Sequence, residues 1–320
     1  MAFIVSATPK VLAIDIYGHR GAAGILPEHT IAGYETSLAL GVNVIDMDVN
    51  LSKDGVPIVT HDPSLNIAIT RDEKGNWLKA PTPAINSLTV AEIKRFNVGR
   101  INDSSYYGRE FPKQYPLDNQ AIPTLEEVIN FAEKISDNKI RYQIEIKSSP
   151  FLHDSFTDYK QLYKAILEVI DRLGVIDRVE LQSFDLRPLL AAKKERPDVK
   201  LSFVTDENIS INNVLMGQWG NLSWTAGFNV ADYDNSIPKM LKSVGVSVWN
   251  PYYQDLTVEK VKDAHDHGLK VVPWSVDEET DMHKMIKFGV DGIITNRPDI
   301  LRGILLIYGA QLPVGYYKKG

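Results

Sequence analysis

Short runs of apolar and β-branched residues recur along this chain, and stretches of helical periodicity lie between most of them. The runs fall at 12–18 (LAIDIYG), 43–49, 142–147 (YQIEIK), 179–182 (VELQ), 200–204 (KLSFV), 245–249 (GVSVW), 270–274 (KVVPW) and 291–295 (DGIIT). Each is the length of a strand. Between them TIAGYETSLALG, TLEEVINFAEKI, DYKQLYKAILEVIDRLG, DLRPLLAAKKERP, TVEKVKDAHDHG and ETDMHKMIKFG read as helices. Gly41, Gly174, Gly268 and Gly289 stand where such helices should stop. Strands alternating with helices predict a parallel sheet. Eight such units favour an α/β fold of the closed (β/α)8 TIM-barrel type, for which ~250 residues is typical. The competing doubly wound sheet lacks its mark, since no strand is followed by GxGxxG.

Residues 63–122 break the rhythm. They are rich in Pro, Asn and Tyr, hold one plausible helix (TVAEIKRF), and are too long for a simple loop. The expected organisation is a barrel domain over 1–305, a small insertion at 63–122 after the second strand, and a C-terminal tail at 306–320. The segment 206–235 is also irregular. Composition changes this picture little: 44% hydrophobic and 24% charged residues are ordinary for a globular protein. A net charge of −6 argues against general nucleic-acid binding. The absence of cysteine excludes disulfides, thiolate nucleophiles and cysteine-held zinc. No apolar run reaches the length of a membrane span. The start, MAFIVSATPKVLAIDI, has its lysine after the apolar stretch, the reverse of a secretory leader. A removed leader would leave the same mature chain, so cytoplasmic, periplasmic and secreted locations all stay open, as does the oligomeric state.

The charged positions are more telling. In IDMDVNLSKDGVPIVTHD at 45–62, Asp46 and Asp48 share one face of a strand that is otherwise apolar. A solvated face on an edge strand would be the structural explanation. Asp54-Gly55 suggests a two-residue hairpin turn that places Asp48 opposite His61. Barrel enzymes carry their chemistry at the carboxyl ends of the strands. There the first strand runs into His19 and Arg20, the second carries Asp46 and Asp48, and YQIEIK carries Gln143, Glu145 and Lys147 on one face. Taken singly, His19 reads equally as a core histidine, Glu145 with Lys147 as an interior ion pair, and Trp249 and Trp274 as packing. Taken together, three carboxylates, two histidines, an arginine and a lysine converge on one end of one barrel. Buried charge of that density needs compensation, and a divalent cation supplies it. Oxygen donors without cysteine point to Mg²⁺ or Ca²⁺. Arg20, Lys147 and the metal would receive a phosphoryl group, and His19 and His61 would exchange protons beside it. Phosphodiester cleavage uses all of these parts.

The same segments resemble the glycerophosphodiester phosphodiesterase family. GHRGAAGILPEHT at 18–30 is similar to its HRG…PENT opening, and VIDMDVNLSKDGVPIVTHDPSL at 44–65 to its E-x-D-V…KDG…HD segment. AIPTLEEVI, QIEIK, LQSFD, GLKVVPWSVD and DGIITNRPD follow in the family's order, and SLTVAEIKRFNVGR resembles its small inserted domain. The resemblance implies a (β/α)8 barrel with one divalent metal. It implies His19 and His61 as the acid–base pair and Arg20 as the phosphate-binding arginine, with Lys147 nearby. Asp46, Asp48 and Glu145 would be the metal carboxylates. Two positions depart from the pattern: Asp46 stands where Glu is usual, one methylene shorter, and His29 stands where Asn is common. The implied reaction turns a glycerophosphodiester into glycerol 3-phosphate and an alcohol. A metal bridging a phosphate oxygen and the glycerol 2-hydroxyl would ease formation of a cyclic phosphate, which water then opens. The alternatives are a lysophospholipase D or sphingomyelinase D-like enzyme on the same barrel, and a binding protein on an inactive one.

Overall fold

The computed structural model describes residues 13–152, 155–207, 212–214 and 222–318. Residues 1–12, on which the leader reading rests, lie outside them, as do parts of the irregular 206–235 segment and the last two residues. The strands are β1 (Asp15–Gly18), β2 (Val44–Leu51), β3 (Pro57–Val59), β4 (Arg141–Ile146), β5 (Val179–Ser183), β6 (Lys200–Thr205), β7 (Val248–Pro251), β8 (Lys270–Val271) and β9 (Gly292–Thr295). All but β3 are parallel and ordered β8-β7-β6-β5-β4-β2-β1-β9. Pro273 has no amide to donate, and β8 is short. The ring nevertheless closes, because Asp291 N donates to Val271 O at 2.9 Å and Ile294 N to Pro273 O at 3.0 Å. The eight parallel strands form the expected TIM barrel.

Helices α1 (Ile31–Leu40), α4 (Leu125–Ser136), α5 (Tyr159–Leu173), α6 (Leu186–Glu195), α7 (Ile237–Ser243), α8 (Val258–Asp266), α9 (Glu279–Phe288) and α10 (Pro298–Ile307) surround it, while α2 (Val90–Ile93) and α3 (Tyr106–Glu110) lie in the insertion. Sequence periodicity finds six of the eight outer helices and misses α10 and α7, the latter barely two turns long and beginning with Ile-Pro. One face of each strand packs against the helices: Ile45, Met47, Ile144, Leu181, Leu201, Phe203 and Trp249 are fully buried in that layer. The inner face carries a small apolar patch of Tyr17, Val44, Val248, Val272 and Ile294. Above it Asn250 Oδ1 accepts from Gln182 Nε2 at 3.0 Å, from Gln143 Nε2 at 3.4 Å and from Ser202 Oγ. This amide layer floors the site with hydrogen-bonded polar groups, though Gln143 Oε1 itself is buried without a partner among the described residues. Among the described residues no helix is long and apolar enough to cross a membrane.

The 45–62 stretch departs from one alternative and one expectation of the sequence reading. β2 is no edge strand: it lies between β1 and β4, and all its residues are buried. The hairpin is also one residue longer than a two-residue turn. Ser52 N bonds to Val56 O at 3.0 Å and Gly55 N to Ser52 O at 3.0 Å, with Gly55 at φ +77. This is a three-residue loop with glycine in the left-handed position. The register becomes Val49 opposite Val59, so Thr60, not His61, pairs with Asp48. His61 instead lies just beyond the ladder, on a turn held by Asn50, whose Nδ2 donates to Thr60 O at 2.8 Å and Asp62 O at 3.3 Å.

Residues following β3 pack on two small apolar clusters. One gathers Ile58, Leu65, Ile85, Ile93, Val98 and Ile122; the other gathers Ala68, Ile69 and Tyr107 with Ile101 and Phe111. At the other end of the chain, the stretch after α10 turns back, with Tyr316 N on Leu38 O at 2.9 Å and Arg302 Nη1 on Pro313 O at 2.7 Å.

Replacing Asn50 with Ala would strand partly buried carbonyls at the His61 turn. Urea unfolding should record a loss of about 1–3 kcal/mol, and an unchanged midpoint would show that another group fixes this turn.

Candidate active site

At the carboxyl end of the barrel, Asp48 lies opposite Glu145 in the β2–β4 register and Asp46 opposite Gln143. Strand alternation turns all three carboxylates inward, where each is nearly inaccessible. Lys147 Nζ sits 2.8 Å from Glu145 Oε1 and 3.6 Å from Asp48 Oδ1. Asp48 Oδ2 also meets His29 Nε2 at 2.8 Å and Arg20 Nε at 3.4 Å. Burial works against the Asp48 carboxylate, but Lys147, His61, His29 and Arg20 together draw its pKa well below the usual range. The other two acids move the opposite way. Burial, then the charges of Asp48 and Glu145, push Asp46 well up. Burial carries Glu145 to about 7 despite Lys147 beside it. One carboxylate is compensated by its basic neighbours, and two remain short of positive charge.

Among the described residues no group of three His, Asp or Glu side chains forms a ready cage for a metal ion. The donor set of Asp46, Asp48 and Glu145 still suits a hard divalent cation. It offers oxygen alone, and two of its members carry pKa values raised by burial and uncompensated like charge.

The two histidines stand on different supports. His19 follows β1 directly, and its amide bonds to Thr295 O at 2.9 Å. Its Nδ1 lies 2.7 Å from Asn296 Oδ1, while Asn296 Nδ2 donates to Asp277 Oδ2 at 2.7 Å. Asp277 fixes which way the amide points, so the amide oxygen faces His19. Nδ1 must carry the proton, leaving Nε2 as the basic nitrogen. Burial and the charge of Arg20 lower the His19 pKa to about 3, and the ring is neutral at ordinary pH. His61 Nδ1 lies 2.8 Å from Asp62 Oδ1, and Asp62 Oδ2 accepts from Asn66 Nδ2 at 2.7 Å. Burial, Arg20 and Lys147 lower its pKa too, while Asp48 and Asp62 oppose the shift. His61 therefore stays within electrostatic reach of the carboxylates although the hairpin register differs from the expected one.

A cavity of about 30 Å³ reaches down among His19, Asp46, Glu145, Gln182, Phe184 and Trp274. The Phe184 and Trp274 rings meet edge to face, 5.2 Å between centroids. Trp274 is thus a wall of the site. Trp249 is packing: it is fully buried behind the strands with Nε1 on Thr205 Oγ1 at 2.8 Å.

The structure brings His19, Arg20, Asp46, Asp48, His61, Glu145 and Lys147 to one mouth. Sequence reasoning missed their supports. Asn296 and Asp277 stand just past strand ends in ITNRPD and SVD, a position that marks barrel chemistry. Asp62 adjoins His61 in the HDP triplet. His29, noted as a departure, orients Asp48 and takes Tyr34 OH on its Nδ1 at 2.8 Å. Tyr107, from the insertion, had no local signal at all.

The sequence profile of the glycerophosphoryl diester phosphodiesterase family matches residues 19–300. A glycerophosphodiester phosphodiesterase of Caldanaerobacter subterraneus subsp. tengcongensis is 29% identical, the match covering 89% of this chain and 95% of the relative. One from Bacillus subtilis is also 29% identical, over 89% of this chain and 84% of its own length. A crystal structure from Silicibacter pomeroyi DSS-3 bearing the family's name aligns with a TM-score of 0.82 at 32% identity, over 96% of this chain and 97% of that one. An Oleispira antarctica phosphodiesterase solved with its product sn-glycerol-3-phosphate shares the fold at TM-score 0.65 and 22% identity, over 91% and 96% of the two chains. A barrel with this mouth, matched from the first histidine to the last barrel helix, belongs to the glycerophosphoryl diester phosphodiesterase family.

Proposed function

We propose that the protein hydrolyses glycerophosphodiesters to glycerol 3-phosphate and an alcohol. The observation that carries this reading is the pair of imidazoles, each tied through Nδ1, beside a buried cluster of three carboxylates, Arg20 and Lys147. Family membership and the activity named for the two relatives support it. Asp46, Asp48 and Glu145 would hold one divalent cation, Mg²⁺ or Ca²⁺. Once bound, it supplies a Lewis acid that lowers the pKa of a hydroxyl and neutralises phosphate charge.

The residues divide the remaining work. Arg20 and Lys147 attract the phosphate, the first as a fork and the second as a point charge. His19, neutral and with Nε2 unprotonated, takes the proton of the glycerol 2-hydroxyl as that oxygen attacks phosphorus. His61, entering as the imidazolium that Asp62 and Asp48 support against burial and the nearby cations, gives a proton to the oxygen of the departing alcohol. A cyclic phosphate and a free alcohol result. In the second step His61 takes a proton from water, the hydroxide adds to phosphorus, and His19 returns its proton to the 2-oxygen. Each ring ends as it began, and the sum is one water consumed.

The exposed Phe151 and Leu152, on the loop after β4, favour a second reading in which the substrate carries an acyl chain. Faster turnover of lysophosphatidylcholine than of glycerophosphocholine would select that reading, and the reverse order the first.

His19→Asn and His61→Asn should each lower kcat on glycerophosphocholine by about 10²–10⁴-fold with the circular-dichroism spectrum retained. A loss under about tenfold in either would remove that histidine from proton transfer. Chelation should abolish turnover and added Mg²⁺ or Ca²⁺ restore it, with Asp46→Asn needing more metal for half-maximal rate. Full activity after exhaustive chelation would reject the cation.

A further inference from the structure

The inserted segment sends one side chain into the site that the reading above leaves unused. Tyr107, on α3, is buried, and its hydroxyl donates to Glu28 Oε2 and accepts from Arg20 Nη1 at 3.1 Å. Arg20 Nη1 also donates to Glu28 Oε2 at 3.2 Å, which closes a triangle. The bonds taken up by Nη1 leave the Nε–Nη2 edge of the guanidinium without a hydrogen bond, and that is the edge that can grip two phosphate oxygens. Nε is buried without a hydrogen bond and touches Asp48 at 3.4 Å, and Nη2 bonds to nothing among the described residues.

Arg20 also has φ +50, a left-handed backbone that costs a non-glycine residue energy, so its direction depends on outside restraints. The insertion supplies them. Ser105 Oγ caps α3 by accepting from Gly108 N at 3.1 Å, and the Tyr107 ring packs edge-on against Phe111 at 4.9 Å. The same segment grips the loop that follows Arg20: Gln114 Nε2 donates to Ala23 O at 2.7 Å and Tyr115 N to Ile25 O at 2.8 Å.

We propose that Tyr107 is a positioning residue whose hydroxyl sets the plane of the Arg20 guanidinium, so that the insertion governs phosphate binding while contributing no acid, base or metal donor. This rests on Arg20 being the phosphate-binding residue. Tyr107→Phe keeps the ring and its packing and removes the hydroxyl alone. Inhibition by glycerol 3-phosphate and kcat/KM on glycerophosphocholine should both weaken about tenfold, the scale of one hydrogen bond to a charged group, with the unfolding midpoint little changed. In an Arg20→Lys enzyme, which has no fork to orient, the same substitution should cost under about threefold. Wild-type inhibition in Tyr107→Phe overturns the proposal, as does an undiminished Tyr107→Phe effect in the Arg20→Lys enzyme. An Arg20→Lys enzyme that matches the wild type in both measurements would instead refute the role of Arg20 itself.

Discussion

Like charge held in a closed space is the constraint around which this molecule is arranged. Two neighbouring strands of a parallel barrel place Asp46, Asp48 and Glu145 on their inner faces, where water cannot screen them. Inward-facing acids on adjoining strands repel, and burial penalises each of them again. The fold answers with Lys147 just past the strand that carries Glu145, Arg20 from the end of β1, and His29 from the loop before α1. These suffice for Asp48 and leave Asp46 and Glu145 with raised pKa values. A stable apolar core would tolerate none of this; the layer of strand-to-helix contacts behind the sheet has to carry the stability that the inner face gives up.

The same economy governs the histidines. Each has its Nδ1 committed to an oxygen, and so each shows the site the nitrogen that can accept a proton. The supports differ in charge. Asn296 is neutral and fixed by Asp277, which leaves the His19 Nε2 free of a proton; Asp62 is anionic and opposes the burial and the cations that lower the His61 pKa. In the proposed reaction, two identical side chains would take opposite tasks from these second neighbours, without any difference in their own chemistry.

The barrel and its ring of chemical residues were legible because both depend on short-range rules. Period-two strands place Asp46 with Asp48, and Glu145 with Lys147, on one face whatever the rest of the chain does. Strand ends then mark the mouth. What stayed hidden depends on single residues of backbone geometry or on contacts between distant segments. Gly55 in a left-handed conformation makes the hairpin loop three residues long, and one residue is enough to move His61 off the ladder. Asn50, read only as part of a strand, is the side chain that compensates for that slip. α7 is too short for periodicity to reveal. Tyr107 meets Glu28 and Arg20 across about eighty residues of chain, and no local pattern encodes such a meeting.

The position of the insertion follows from the same geometry. β3 leaves the barrel at Val59, and Thr60 and His61 end the hairpin at the mouth. Any segment added there starts beside the site, because the chain has already been carried to the carboxyl end of the strands. It must also return there, since α4 begins at Leu125 with its Thr124 cap bridged to Ile58 of β3. Both ends of the insertion are therefore anchored at the rim, and its middle has little choice but to lie over the β1–α1 loop. That loop holds two left-handed non-glycine residues, Arg20 and His29, both in contact with Asp48. A strained loop needs covering contacts, and an inserted segment tethered at the rim needs a surface to cover. Each meets the other's requirement, which is why an excursion that looks peripheral in the sequence lies against Arg20 at the mouth of the site.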